Sequence, residues 1–336
     1  MKSLIQKLVE IPGPSGFESQ IREVIRKEVE PLAGKAQVDN LGNLIVSRGE
    51  VKKGGLKILL AAHMDEIGLM ATHIDECGFV RFTTIGGVRP VNCLGGRVRF
   101  MSGIQGVIGS ERLSDTSKAP SFEQMFIDVG AANPGDCPVN VGDVAAFERP
   151  YLDLGSRMVA KSLDDRIGVA VLIETLRELD RRKIKSPHQV LFVFSVQEEV
   201  GVRGATTAAF GIDPDVGLAV DVTQTGDTPN AARMEVSLGR GPAVKLRDQG
   251  MLSDPRVVRW MLAAAEANRI PYQREVLERG STDAEAIQLT RSGVPAGCLS
   301  IPCRYIHSPS EMVDVNDAQN AVQLLVALLQ EDIDLA

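Results

Sequence analysis

Two adjacent carboxylates, Glu198 and Glu199, follow an uninterrupted strand-like run at 189–194. The run lacks polar alternation, which is typical of a strand buried on both faces of a sheet. An unpaired buried carboxylate costs several kcal/mol, so it normally acquires a proton, a basic partner or a metal. The alternative is that both side chains emerge into solvent in a loop, and this pair alone does not decide between the two.

A histidine ends a second apolar run, at 57–62, and a carboxylate lies two residues beyond it: these are His63 and Asp65. In metal sites, a carboxylate often accepts a hydrogen bond from one ring nitrogen and leaves the other nitrogen free for the metal. A lone histidine is more often a core residue. This pair therefore indicates a metal only if other strand ends supply ligands.

Further titratable residues stand at comparable positions. Asp221 ends the run at 216–220, and His307 lies a few residues beyond the run at 296–302. Asp164 opens a helical segment, although acidic residues are favoured in a first helical turn by the helix dipole alone. Ligands of open, mostly parallel α/β sheets bind beyond the carboxyl ends of the strands. We therefore expect six residues to meet at one edge of the sheet: His63, Asp164, Glu198, Glu199, Asp221 and His307.

The expected cluster combines imidazole and carboxylate groups without a cysteine. Such a ligand set suits zinc, cobalt or manganese. Two ions about 3.5–4 Å apart that share a bridging carboxylate form a recognised hydrolytic site. The coincidence of these strand ends predicts a metal site of that kind, although no single residue predicts it alone.

The elements that would position these residues fall into two parts. Apolar strand runs alternate with amphipathic helical segments near both ends of the chain. This pattern predicts an α/β domain with a mixed, mostly parallel sheet flanked by helices. Between them, short strand-like segments separated by glycines predict a small inserted β-barrel domain. We place the α/β catalytic domain at 1–68 and 158–336, and the inserted domain at 69–157.

Near the N-terminus, Ser15 and Glu18 match the pattern of a capping box. In that motif Ser15 would be the N-cap residue, and Glu18 would reach back to its free backbone N–H. Apolar residues at 21, 24, 25 and 29 follow at helical spacing, so we expect a helix that starts from this box.

Composition narrows the class of protein. Hydrophobic residues at 44% and charged residues at 24% are typical of a soluble globular protein. The net charge of −7 and the lack of a dense Lys/Arg block argue against nucleic acid as a partner. No apolar run reaches membrane-spanning length, and the polar first residues contain no signal core, so we expect a cytoplasmic location. Five scattered cysteines indicate neither a disulfide framework nor a cysteine zinc site.

Several motifs, in order along nearly the whole chain, resemble those of the tetrahedral aminopeptidases. This family of dinuclear metallo-aminopeptidases includes glutamyl, leucyl, lysyl and deblocking types, and some members have been labelled endoglucanases. The similar segments lie at 14–18, 62–68, 163–166, 197–201, 221–223, 282–284 and 304–309. The number of ordered motifs makes the resemblance specific.

The resemblance implies two divalent metal ions per subunit and a role for each site residue. Asp164 would bridge the two ions, and its peptide bond to Asp165 would be cis. Glu198 would be the general base, and Asp65 would orient a histidine ligand. The remaining implied ligands are His63 and Asp221 at one ion, and Glu199 and His307 at the other.

The resemblance also implies an activity and an assembly. The expected activity is removal of N-terminal residues from short peptides that have a free N-terminus. The inserted β domain would mediate dimerisation, and the dimers would assemble into a hollow tetrahedral dodecamer. One departure from the family pattern is Glu285, which stands where relatives commonly have a small residue after the motif at 282–284.

Three other functions compete with this interpretation. An endoglucanase needs two carboxyl groups across a sugar, but adjacent residues such as Glu198 and Glu199 point to opposite sides of an extended segment. One tryptophan and 4% aromatic residues also give few surfaces on which a sugar could stack. A scaffold or shell protein whose metals only stabilise the fold would not need an unligated base such as Glu198. A dinuclear-metal deacylase or carboxypeptidase stays open, because related folds host those activities.

Overall fold

The computed structural model describes residues 1–34, 36–113, 115, 117–330 and 333. Its helices are α1 (Lys2–Val9), α2 (Ser19–Ala33), α3 (Leu163–Arg181), α4 (Arg203–Ile212), α5 (Pro255–Ala267), α6 (Asp283–Gln288) and α7 (Val315–Leu328). None of the helices within these residues is long and apolar enough to span a bilayer. The strands of the same residues form one large mixed sheet and one closed antiparallel barrel.

The large sheet has a parallel centre and antiparallel edges. In spatial order its main path is β1 (Gln37–Val38), β2 (Leu44–Arg48), β12 (Gln189–Ser195), β3 (Lys57–His63), β13 (Val216–Thr223), β16 (Ala296–Arg304), β17 (Glu311–Asp314), β11 (Arg157–Ala160) and β10 (Leu152–Leu154). Two further strands, β14 (Ala243–Arg247) and β15 (Gln273–Val276), branch from β16. The four central strands β12, β3, β13 and β16 are mutually parallel.

Helices cover both faces of this sheet, which explains why its central strands are buried and apolar along most of their length. Along β3, Ile58 and Leu60 enter a core that also contains buried residues of α1, α2, α3, α5 and α7. Leu59 and Ala61 enter a second core, on the other face, with residues of α4 and α6. Because successive strand residues point to opposite faces, both sets of side chains in a strand covered on both sides face an apolar core.

The barrel closes in the order β4 (Gly68–Ile74), β5 (Val80–Ile85), β8 (Met125–Asp128), β7 (Gln105–Ser110), β6 (Arg97–Phe100) and β9 (Val144–Glu148). It has its own apolar core, and along β6 Val98 and Phe100 point inward while Arg97 and Arg99 point outward. The predicted fold, an α/β sheet with an inserted β barrel, is confirmed. The domain limits at 68/69 and 157/158 stay predictions.

The predicted capping box is wrong. Helix α2 begins at Ser19 with Glu18 as its N-cap residue. The Ser15 hydroxyl instead donates a 2.6 Å hydrogen bond to the buried carboxylate of Asp65, and Glu18 accepts the backbone N–H groups of Gly16 and Gln197. Water can satisfy the open N–H groups at the start of an exposed helix, but it cannot reach Asp65. The buried acceptor therefore takes the serine.

Candidate metal centre

The carboxyl ends of the central strands open into a cavity of about 330 Å³. Strands β3 and β12 end in register, since His63 is paired with Ser195. The loop after β12 therefore starts beside His63, and the neighbouring strand β13 adds Asp221 at the same edge. All six residues that we expected at this edge line the cavity: His63, Asp164, Glu198, Glu199, Asp221 and His307.

Asp164 lies between the two histidines. Its Oδ1 is 3.0 Å from Nε2 of His63, and its Oδ2 is 3.3 Å from Nε2 of His307. The peptide bond between Asp164 and Asp165 is cis, as the family resemblance implied, and both residues have non-helical backbone angles inside α3. Burial raises the pKa of Asp164, but its hydrogen bonds with His307 and His63 outweigh burial and hold that pKa well below the usual value.

His63 and Asp221 occupy strands, and their ligand atoms lie 3.9 Å apart. The Nδ1 atom of His63 lies 3.2 Å from the backbone oxygen of Asp65 and 3.5 Å from its carboxylate. Asp65 itself is fully buried. Its two carboxylate oxygens accept the backbone N–H groups of Glu198 and Glu199 at 3.0 and 3.2 Å. Asp65 thus contacts one predicted ligand and fixes the backbone of two further site residues.

Glu199 and His307 occupy loops, and Glu199 Oε2 lies 3.0 Å from Nε2 of His307. The other ring nitrogen of His307 is 3.1 Å from the backbone oxygen of Gly87, at the edge of the barrel. A Cβ atom at position 87 would lie 2.4 Å from that nitrogen, so only glycine lets the two segments approach. Asn92 donates a 3.0 Å hydrogen bond to the carbonyl of His307. The barrel therefore helps to position this histidine.

Glu311 is a site residue that the sequence analysis missed. It is buried at the start of β17, and it accepts the backbone N–H of Asp164 and that of His307, each at 2.9 Å. Its only sequence signal is a position four residues after His307. Asp283 was also given no role, although it is buried and accepts a hydrogen bond from the hydroxyl of Ser195.

The sequence analysis named Asp165 only as the partner of Asp164 in a cis peptide bond, yet its carboxylate lies inside the cluster. The ligand atoms of His63, Asp165 and Asp221 are all within 4.8 Å of one another. The same holds for His63, Asp164 and Glu199. One oxygen of Asp165 accepts the N–H of Gly168, and the other has no partner among the described residues. The Oε1 atom of Glu199 is equally unpartnered in this part of the chain.

The electrostatics of the cluster favour cations. Burial, and then the repulsion of nearby carboxylates, raise the pKa values of Glu198, Glu199 and Asp221. Burial opposes the charged form of His307, but its contacts with Asp164 and Glu199 outweigh burial and raise its pKa to about 12. Carboxylates outnumber imidazoles in this buried site, and two of its carboxylate oxygens, on Asp165 and Glu199, have no hydrogen-bond partner among the described residues. Divalent cations would balance this charge, so the residues fit a metal centre.

Glu198 and Glu285 take different positions relative to this centre. The Oε2 atom of Glu198 is 3.9 Å from Nε2 of His63, and Glu198 lines the cavity. Glu285 lines a separate surface cleft together with Val202 and Phe210.

Comparisons with known proteins agree with this architecture. A family model described as M42 glutamyl aminopeptidase matches residues 42–324. A lysyl aminopeptidase from Pyrococcus furiosus is 34% identical and covers 98% of this chain and 96% of its own length.

Solved structures are also similar over almost the whole chain. An aminopeptidase from the archaeon Desulfurococcus kamchatkensis has a TM-score of 0.93 at 41% identity, and the match covers 98% of this chain and 94% of that chain. The TET1 peptidase of Pyrococcus horikoshii, which can assemble into a tetrahedron or a large octahedral shell, has a TM-score of 0.88 at 34% identity. That match covers 98% of this chain and 99% of the other.

The resemblance expected from the sequence motifs is therefore confirmed, and the protein is a hydrolase of the peptidase class. The chain belongs to the M42 glutamyl aminopeptidase family.

Proposed function

We propose that this protein is an aminopeptidase that uses two divalent metal ions to remove residues from short peptides with a free N-terminus. The observation that supports it best is the position of Asp164, whose two carboxylate oxygens face the two histidines separately. Asp164 would bridge the ions. The other ligands would be His63 and Asp221 for one ion, and Glu199 and His307 for the other.

Bound zinc, cobalt or manganese ions would supply Lewis-acid activation of a water molecule and of the peptide carbonyl. Glu198 is the residue that we assign as general base. It would take a proton from the attacking water and return it to the leaving amine. Burial raises the pKa of Glu198 above its usual value, which favours a carboxylate that takes up a proton during the reaction. Asp65 would orient His63 and, through two backbone N–H groups, would hold Glu198 and Glu199 in place.

The charge of the cavity supports a substrate with a free N-terminus. Asp164, Glu198, Glu199 and Asp221 surround a space of about 330 Å³, which is too small for a folded domain. An unblocked α-amino group can enter as a cation or as a ligand. An acetylated amine offers neither a charge nor a free lone pair to this site.

The inserted barrel supports a proposed role in self-association. Large apolar side chains are exposed on it at Val91, Leu94, Val107 and Val141. We propose that the domain at 69–157 forms dimers and that the dimers assemble into a tetrahedral dodecamer. Light scattering tests this directly, because a measured mass near that of a dimer would exclude the dodecamer. A cytoplasmic location stays part of the proposal, and nucleic acid and membranes are not proposed as partners.

The test of the activity uses matched short peptides, one free and one acetylated at the N-terminus. We expect cleavage of the free peptide only, loss of cleavage after chelation, and recovery with zinc or cobalt. Cleavage of a peptide bond in the acetylated peptide would favour the carboxypeptidase, and release of an acyl group from acylated amino acids would favour the deacylase. Release of reducing sugar from cellulose, unaffected by chelation, would favour the endoglucanase.

Glu198→Gln tests the proposed base. We expect turnover to fall by about 10²–10⁴-fold, because the proton transfer step loses its carboxylate. Metal content per chain, measured by mass spectrometry of the elements, should stay at the wild-type value. Loss of metal in this variant would instead make Glu198 a ligand.

A further inference from the structure

Glu311 joins two parts of the metal centre that are far apart in the sequence. One of its carboxylate oxygens accepts the backbone N–H of Asp164 and the other accepts that of His307, both at 2.9 Å. The side chain is 2% exposed, and Glu311 does not line the cavity. A single buried carboxylate thus fixes the distance between the backbones of two proposed ligands.

His307 depends on such an anchor more than the ligands on strands do. It lies in the connection between β16 and β17, and its backbone has a φ of +60°, with Tyr305 at +62°. Residues other than glycine rarely adopt this left-handed conformation, so it must be held by surrounding contacts. His63, by comparison, is the last residue of β3 and is paired with the neighbouring strand.

Apart from Asp164 and Glu199, which lie beside its Nε2 atom, three contacts with the described residues hold His307 in place. Gly87 approaches its ring, Asn92 binds its carbonyl, and Glu311 binds its N–H. Of these, only the contact with Glu311 also reaches Asp164. The separation of Asp164 and His307, which determines whether one ion can bind both, therefore depends most directly on Glu311.

We propose that Glu311 is a positioning residue that sets the affinity of the metal site formed by Asp164, Glu199 and His307. It does so without binding the ion itself. The inference rests on the proposed function, because it takes these three residues as ligands. It goes further in assigning control of one of the two sites to a residue outside the ligand set.

The molecule contains a matched control for this proposal. Asp317 on α7 is also a buried carboxylate, and its two oxygens accept the backbone N–H groups of Gly239 and Gly241, each at 2.7 Å. None of these three residues lines the metal cavity. Asp317→Asn and Glu311→Gln therefore remove the same kind of double acceptor, but only Glu311→Gln removes it from the metal centre.

The experiment is a titration of the metal-free full-length protein with Co²⁺. Calorimetry measures the affinity of each site, and the visible absorption of bound cobalt monitors its coordination. Wild type and Asp317→Asn should each bind two ions with the same pair of affinities. Glu311→Gln should bind one ion as wild type does and the second about 10–100-fold more weakly, as is typical when a partner outside the ligand set is removed. The cobalt absorption of the second equivalent should weaken in parallel.

Several outcomes would overturn the proposal. One is that Glu311→Gln binds cobalt at both sites with wild-type affinity. Another is that its cobalt affinity falls equally at both sites, because Glu311 would then not control one site in particular. If Asp317→Asn weakened cobalt binding as much as Glu311→Gln does, the loss would reflect a less stable fold and not the position of Glu311. If Glu311→Gln does not fold, Glu311→Asp withdraws the same oxygens while keeping the charge, and the same predictions apply to it. Failure of the wild type to bind cobalt would contradict the proposed function itself.

Discussion

The two halves of the proposed metal centre are held in place by different means. His63 and Asp221 lie on β3 and β13, which are neighbouring parallel strands in the middle of the sheet. Glu199 and His307 lie in loops, and their backbone N–H groups are bound by the buried carboxylates of Asp65 and Glu311. We call these pairs the strand half and the loop half. Asp164 contacts a histidine of each.

The difference shows how the positions of the proposed ligands are fixed in each half. In the strand half, the hydrogen-bond ladder and two apolar cores fix the proposed ligands, so their geometry changes only if the sheet itself changes. In the loop half, a few polar contacts fix the ligands, and each contact can be removed while the sheet stays intact. Metal affinity in the loop half should therefore be separable from the stability of the fold.

The largest effect is expected for Asp164→Asn, because Asp164 belongs to both halves. The variant keeps the size of the side chain but removes the charge that both proposed ions share. We expect peptide hydrolysis to fall by roughly 10³-fold or more, since Lewis-acid stabilisation is worth several kcal/mol. Elemental analysis should find fewer than two ions per chain. Retention of both ions with full activity would show that Asp164 is not the link between the halves.

A smaller effect, confined to the loop half, is expected for Gly87→Ala. The added Cβ atom would lie 2.4 Å from Nδ1 of His307, so the ring must move. A displacement near 1 Å lowers activity by up to about 10²-fold. Cobalt titration should show weakening of one site only, with the other unchanged.

The control for that variant is Gly211→Ala in α4. A Cβ atom there meets nothing within 4 Å, and the backbone φ is not in the left-handed region. Activity and both metal affinities should equal those of the wild type. If Gly87→Ala weakened both sites equally, the two halves would not be independent.

The smallest effect is expected for Ser15→Ala. Its hydroxyl donates to the Asp65 carboxylate, which keeps the N–H groups of Glu198 and Glu199 when the hydroxyl is removed. Removing one hydrogen bond to a charged group should lower the free energy of unfolding by about 1.5–3 kcal/mol. Metal affinity should change less than tenfold. Thermal denaturation measures the free energy of unfolding, and cobalt titration measures the metal affinity. A loss of metal affinity of more than tenfold would place Ser15 in the metal centre itself.

The sequence predicted the strand half more fully than the loop half. His63 and Asp221 each end an apolar run, and the carboxyl ends of parallel strands meet at one edge by a general rule. Glu199 could be placed by the same rule, because it follows β12 by only a few residues. His307 lies further beyond its strand, and its role was implied mainly by the resemblance to the family.

The contacts that hold the loop half could not be predicted from local patterns. Glu311 binds the backbone of Asp164, which is 147 positions away. Because nearly every residue has a backbone N–H group, the sequence does not indicate which of them a carboxylate will bind. The wrong prediction for Ser15 has the same origin. Its local pattern matched a capping box, but the acceptor that it binds, Asp65, is 50 positions away and buried.

The most direct test of the account is X-ray diffraction from crystals of the zinc-loaded protein, with data on both sides of the zinc absorption edge. The account predicts two anomalous peaks per chain, about 3.5–4 Å apart. One should lie beside His63 and Asp221, the other beside Glu199 and His307, with Asp164 between them and Glu198 bound to neither. A single peak, or a pair in which Glu198 is a direct ligand, would contradict it.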